Sequence, residues 1–158
     1  MPIFITTVHT PLSASEVARR LDCMIEERTG WPAGISGARI PSRTGALFAG
    51  RREDRSFTIV RLITYRNSFL PVIRGRVLPG VGTDVRLVMM LHPLIAAFML
   101  LWCAGLVLGV ARGVADSFAP ALAVAPVLLC LFGVFVTAVG FFSEALKARR
   151  LIREALRA

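Results

Sequence analysis

The chain has 158 residues, a formal net charge of +9 and a mean hydropathy of +0.66. Its hydrophobic content of 55% exceeds the roughly 45–50% of soluble domains, which argues against an ordinary soluble protein. The length allows one domain with a sizeable core beside a membrane unit, but not two soluble domains. The cysteines, Cys23, Cys103 and Cys130, have no Cys-x-x-Cys spacing, which argues against a disulfide framework or a thiolate metal site.

A strand and a helix are predicted first in the chain. Ile3 to Val8 is rich in β-forming residues, and Ser13 lies three residues before Glu16, which is the spacing of a helix capping box. We therefore expect a helix from about Ala14 to Arg28. Its apolar positions recur at helical spacing and comprise Val17, Leu21, Met24 and Ile25. The following stretch, Trp31 to Gly45, is rich in Gly, Pro, Ser and Arg and is typical of a loop.

Four further strands follow this loop. The predicted ranges are Leu47 to Gly50, Ser56 to Tyr65, Leu70 to Leu78 and Thr83 to Leu91. The links between them are short and polar or rich in glycine, which favours an antiparallel meander. The last strand becomes apolar on both faces towards Pro93, so we expect it to lead directly into the membrane. Residues 1–93 are therefore predicted to be a cytoplasmic α+β domain of strand, helix and antiparallel meander.

Two uncharged apolar runs follow the predicted domain. Leu94 to Ala111 has 18 residues and Ala121 to Phe142 has 22, and at about 1.5 Å per residue both approach or exceed the bilayer core of about 30 Å. The alternative is a buried helical hairpin in a soluble protein, but two such runs need a larger soluble shell than this chain supplies. Residues 94–143 are therefore predicted to be a transmembrane hairpin.

Basic residues predict the orientation of this hairpin. The connection between the two runs holds only Arg112 beside Asp116, whereas the tail after the second run is basic. Met1 to Thr10 lacks the features of a secretory signal, so we expect both termini in the cytoplasm and the chain in the bacterial inner membrane. Residues 144–158 are predicted to be a basic amphipathic helix that lies along anionic headgroups or against the soluble domain. Its candidate headgroup contacts are Lys147, Arg149, Arg150, Arg153 and Arg157.

Small and aromatic residues are the candidate contacts within the apolar runs. Glycines at four-residue or seven-residue spacing let helices approach closely, and they are Gly105, Gly109, Gly113, Gly133 and Gly140. Two interpretations remain open: packing within the hairpin, or contact with a second copy or a larger membrane protein. Phe98 and Trp102 lie one turn apart, and either a lipid or pigment contact or helix packing would explain them.

No residue pattern predicts catalysis or a cofactor. The only histidines, His9 and His92, lack a second metal ligand at suitable spacing, so no metal site is expected. A strand rather than a helix follows Gly80 to Gly82, which excludes a dinucleotide-binding loop, and no motif supplies an activated nucleophile. A membrane-tethered basic domain meets anionic lipid before nucleic acid, so lipid is the expected partner of the positive charge.

Two resemblances extend beyond these patterns. Tyr65 to Pro71, with Gly75, the Gly82-Thr83 turn and His92-Pro93, resembles a group of small bacterial membrane proteins with a β-rich domain before two spans. That resemblance implies no activity. The order of strand, helix and meander is also similar to the START-type lipid-binding fold, which encloses a cavity, although the full strand number and the long closing helix are missing.

The sequence therefore favours a non-enzymatic accessory or scaffold subunit of a larger bacterial membrane complex. In this hypothesis the hairpin contacts an integral membrane protein or a second copy. The alternative is a membrane-tethered module that binds a lipid or another hydrophobic ligand.

Overall fold

A computed structural model describes residues 2–27, 45–115 and 120–157, without the side chains of 113–115 and 120–123. The predicted loop Trp31 to Gly45 therefore lies outside the described residues except for Gly45. The architecture is α+β, with a six-stranded mixed sheet and two long apolar helices. The strands are β1 (Ile3–Thr10), β2 (Ile25–Glu27), β3 (Phe48–Glu53), β4 (Ser56–Arg61), β5 (Pro71–Gly80) and β6 (Gly82–Leu91), and the helices are α1 (Ala14–Met24), α2 (Pro93–Ala115) and α3 (Pro120–Ala155).

The sheet has the order β1-β6-β5-β4-β3-β2. The predicted antiparallel meander runs from β3 to β6, and β1 adds to it by pairing antiparallel with β6. The β5–β6 hairpin is tight, because Gly80 pairs with Gly82 across the single residue Val81. Gly82 has a φ of +86°, a conformation that glycine adopts without steric cost.

The first helix is shorter than predicted. Its start is confirmed, because the Ser13 hydroxyl accepts a hydrogen bond from the Glu16 backbone N–H at 3.3 Å. The predicted end at Arg28 is wrong, because α1 stops at Met24 and Ile25 begins β2, which pairs in parallel with β3. Ile25 is β-branched, and its position also fits the helical spacing of α1. Its pairing with Phe48 places it in a strand.

The last helix is longer than predicted. Helix α3 has 36 residues, about 54 Å, and includes both the second apolar run and most of the segment predicted as a separate tail. Helices α2 and α3 are long and apolar enough to cross a membrane by length and composition. In their most apolar stretches only 6% and 11% of the residues are buried.

The end of α3 completes the core of the sheet domain. Residues of the sheet and of all three helices form one buried cluster, to which α3 contributes Phe141, Ala145, Ala148 and Ile152, and Leu156 just after α3 also belongs to it. The core therefore does not end at residue 93, and residues 144–157 belong to it.

Strand β1 runs alongside α3. At the start of the strand Pro2 lies near Thr137 and Ala138, and at its end the Thr10 hydroxyl donates a 2.8 Å hydrogen bond to the Leu156 carbonyl. The eight residue steps from Pro2 to Thr10, at about 3.4 Å each, span about the same length as the stretch from Thr137 to Leu156 at about 1.5 Å per residue. The strands therefore extend roughly parallel to the α3 axis, away from the apolar hairpin.

Candidate functional site at the junction of sheet and hairpin

A buried carboxylate marks the junction between the apolar hairpin and the sheet domain. Glu144 is the first charged residue after the apolar part of α3, and it is 1% exposed. Arg61, at the end of β4 on the sheet face that packs on α3, donates from Nε to Glu144 Oε2 at 3.0 Å. The Tyr65 hydroxyl donates to Glu144 Oε1, and the Lys147 ammonium lies 3.1 Å from the same oxygen. Two cations and a hydroxyl therefore surround the carboxylate.

The side chains around Glu144 also contact one another. Arg61 Nη2 donates to the Tyr65 hydroxyl at 2.9 Å, and the Lys147 ammonium lies 5.5 Å from the centre of the Tyr65 ring. The hydrogen bond to Glu144 and, to a smaller extent, the one to Tyr65 raise the pKa of Lys147. A buried charge is tolerated only when paired and hydrogen-bonded, so this cluster fixes the depth and rotation of α3 against the sheet.

The segment between β4 and β5 holds α3 one turn above Glu144. The Asn67 side chain donates from Nδ2 to the Gly140 carbonyl at 3.2 Å, and its oxygen accepts from the Phe69 N–H at 2.9 Å. A Cβ atom at Gly140 would lie 2.9 Å from the Phe69 ring, so the glycine permits the close approach. The sequence did not single out Glu144, Arg61 or Tyr65; a lone acidic residue directly after an apolar run was the available signal.

Within the hairpin, the two helices meet along one side of each. The Trp102 ring packs on Gly133, where a Cβ atom would lie 2.0 Å from the ring. The Thr137 hydroxyl donates to the Gly133 carbonyl at 2.7 Å and lies 3.6 Å from the Met99 sulfur. Trp102 therefore packs on α3, which is one of the two interpretations of its position, whereas Phe98 is 62% exposed.

The glycines divide between two environments. Gly133 and Gly140 lie against aromatic side chains of the same chain. At Gly105 and Gly109 no atom of the described residues lies within 4 Å of the position that a Cβ would occupy, so neither glycine packs on the described side chains of α3. Gly113 lies in α2, but its surroundings are outside the described residues.

The predicted headgroup contacts run away from the apolar hairpin. At about 1.5 Å per residue, Lys147 lies about 7 Å beyond Phe142 along α3, but Arg153 and Arg157 lie about 16 and 22 Å beyond it. Arg150, Arg153 and Arg157 are exposed, whereas Arg149 is partly buried. The apolar residues of this segment, including Ala148 and Ile152, pack in the core of the sheet domain.

An apolar cleft of about 270 Å³ lies between the two helices beside the sheet. Its lining is almost entirely aliphatic and comprises Pro2, Leu91, Ala96, Met99, Leu100, Cys103, Val134, Thr137 and Ala138. Among the described residues, no three His, Cys, Asp or Glu side chains lie together in a way that could hold a metal ion.

His92 connects the last strand to α2. Its side chain is 3% exposed, and Nδ1 accepts a hydrogen bond from the Leu94 N–H at 3.3 Å, which caps the helix. Burial lowers the pKa of His92 below its usual value of about 6.5. Because a protonated Nδ1 cannot accept this hydrogen bond, the cap requires the neutral imidazole.

Removing the buried carboxylate should destabilise the protein strongly. We expect Glu144→Gln to lower the free energy of unfolding by about 3–5 kcal/mol, because Arg61 is left buried without a counter-charge. Denaturant titration in mild detergent measures the change. The matched control is Glu154→Gln at an exposed position of the same helix, with an expected change within about 0.5 kcal/mol. Equal losses would show that burial of Glu144 has no specific effect.

Acidification should weaken the His92 cap. Because the folded-state pKa lies below the unfolded one, the stabilisation is complete above about pH 6.5 and is lost as the pH falls through the folded-state value. Thermal unfolding between pH 8 and 5.5 tests this in a His9→Gln background, where His92 is the single histidine. His92→Asn keeps an acceptor without titrating, so its midpoint should fall less; parallel curves for both proteins would contradict the assignment.

Comparison with known proteins does not assign the chain to a family. Neither known protein families, nor curated proteins, nor solved structures give a match to the chain.

Proposed function

We propose that α2 and α3 form a membrane-spanning hairpin in the bacterial inner membrane, with both termini in the cytoplasm. The low burial of their apolar stretches supports this, because the core helix of a soluble protein would be mostly covered by its own chain. An aqueous environment would expose large apolar side chains on both helices, including Leu101, Phe132 and Phe135 at 64–74%. The basic end of α3 supports the cytoplasmic placement.

Within that membrane, we propose a non-enzymatic accessory or scaffold subunit of a larger complex. The open stripe at Gly105 and Gly109 carries this proposal, because Trp102 and Cys103 of the same helix already contact α3 through Gly133 and Cys130. Lipid tails are as apolar as leucine, so close backbone approach is what a membrane helix offers a partner helix. Since α3 continues into the sheet core, a partner bound by the hairpin is held at a fixed position relative to the domain.

The apolar cleft favours a second candidate function, binding of a lipid or another hydrophobic ligand. The cleft of about 270 Å³ opens between Met99 and Leu100 of α2 and Val134 and Ala138 of α3. Its aliphatic lining suits an alkyl chain and offers the Thr137 hydroxyl as its main polar group. Bound lipid in the absence of a stoichiometric protein partner would favour this candidate.

Cysteine labelling tests the membrane topology. In a variant without native cysteines, a cysteine at position 117 should react with an impermeant maleimide added to intact spheroplasts, and one at position 158 should react only after lysis. The reason is that the connection between the two helices is predicted to face outward. Strong labelling at position 158 before lysis would overturn the topology.

Two leucine substitutions test the docking surface. Gly109→Leu should leave the thermal stability of the isolated protein unchanged, because no atom of the described residues lies within 4 Å of a Cβ there, and should reduce the recovery of a stoichiometric partner in gentle detergent. The matched control, Gly133→Leu, should lower the stability, because its side chain would overlap the Trp102 ring.

The two measurements separate the competing interpretations. Unchanged recovery with Gly109→Leu would show that this stripe faces lipid, and the scaffold proposal would lose its support. Mass spectrometry of the same purified samples identifies either a protein partner or a retained hydrophobic ligand.

A further inference from the structure

One face of the sheet is not covered by α1 or α3, and we call it the open face. It carries alternate residues of the strands, in rows set by the strand register. The row nearest the hairpin is apolar and contains Ile3, Met90, Val72 and Val60, the last two of which are buried with Ile63 and Leu70 of the segment between β4 and β5. The next row contains Ile5, Val88, Arg74 and Thr58, and the third contains Thr7, Arg86, Arg76 and Ser56. The face therefore changes from apolar to charged with distance from the hairpin, with Glu53 at the β3 end of the third row and Asp84 in the row beyond it.

This change occurs at the same level as the end of the apolar part of α3. Strand β1 runs beside α3 from Thr137 to Leu156, so Ile5 is level with about Glu144. Arg74 shares the row of Ile5 and lies three residues, about 10 Å, further from the hairpin along the strand direction than Arg61, which contacts Glu144. The row of Arg86 lies about 7 Å further along the strand direction.

These distances fit the bilayer surface. The polar headgroup layer adds about 5–7 Å to each side of the hydrocarbon core. The side chain of Arg74 would extend into that layer, and the long side chains of Arg76 and Arg86 reach back towards it. Ile3 and Ile5, which are 54% and 57% exposed, would lie at the boundary between hydrocarbon and headgroups.

Among the arginines of the open face, Arg51 pairs with Glu53, whereas the described residues offer no acidic partner to Arg74, Arg76 or Arg86. Arg76 and Arg86 face each other directly across β5 and β6, an arrangement that is destabilising for like charges. The ion pairs of the described residues include none to Arg74, Arg76 or Arg86. An anion between the two strands would convert this repulsion into binding, and guanidinium groups match phosphate oxygens in a bidentate geometry.

We propose that Arg74, Arg76 and Arg86 bind the phosphate of an anionic phospholipid headgroup in the bilayer that the hairpin spans. The inference rests on the proposed membrane anchoring, and it places the headgroup site on the open face rather than on the predicted tail. Nucleic acid fits less well, because the described strands carry no aromatic residue on this face for base stacking.

Native mass spectrometry of the full chain released from nanodiscs tests the site. With equal amounts of phosphatidylcholine and phosphatidylglycerol, the wild-type protein should retain phosphatidylglycerol preferentially. The double variant Arg76→Gln/Arg86→Gln should bind phosphatidylglycerol at least about tenfold more weakly. Its thermal stability in phosphatidylcholine should be equal to or above that of the wild type, because the repulsion across the strands is removed; a lower stability would contradict the assignment.

The matched control is Arg150→Gln/Arg153→Gln, which removes the same charge from exposed positions of α3. An equal loss in this control, or unchanged binding by the open-face variant, would overturn the proposal. Binding of inorganic phosphate or of a uridine oligonucleotide with the same dependence on Arg76 and Arg86 would overturn the assignment to lipid. Extraction of the same samples with alkaline carbonate separates the two hypotheses: release of the wild-type protein refutes membrane anchoring itself, whereas retention with unchanged lipid binding refutes only the headgroup site.

Discussion

The charge of Glu144 has to be compensated inside the protein, because the carboxylate is buried where α3 passes from the apolar hairpin into the sheet core. Arg61 and Tyr65 supply that compensation from the sheet side, and Lys147 supplies it from the helix. Since each partner is fixed by its own element, α3 has one allowed depth and rotation. The position of the hairpin, the level of the open face and the location of the cleft all follow from that single placement.

Local chemistry made much of the domain predictable. The Ser13 cap, the turn between β5 and β6 and the alternation along β6 are each decided within a few residues, and they lie where they were expected, whereas the strand predicted to reach Tyr65 ends at Arg61. Ile25 was misassigned because its pairing partner, Phe48, is distant in sequence and helical spacing alone cannot reveal it. The apolar stripe of Ala145, Ala148 and Ile152 was visible, but both headgroups and the sheet were available partners for it.

The candidate site was predicted less well, because its members come from separate elements. Arg61 and Glu144 are 83 positions apart, and no local pattern joins them. The spacing of the glycines was visible, yet spacing cannot tell which of them meet a neighbour. Packing by Trp102 settles this for Gly133, while Gly105 lies on a side of α2 without contacts to the described side chains. Charge composition similarly indicated the basic tail. It could not indicate that Arg76 and Arg86 lie side by side, because this depends on the register of β5 and β6.

The contribution of α3 to the sheet core has a consequence for biosynthesis. The six strands and α1 are complete once residue 91 has left the ribosome, but their core still lacks Ile152 and Leu156. At about 5–20 residues per second, the missing helix follows roughly 3–13 seconds later, after the entire hairpin has been made. During that interval the sheet exposes an apolar surface that chaperones would have to shield. The domain is therefore completed only after the hairpin has been synthesised.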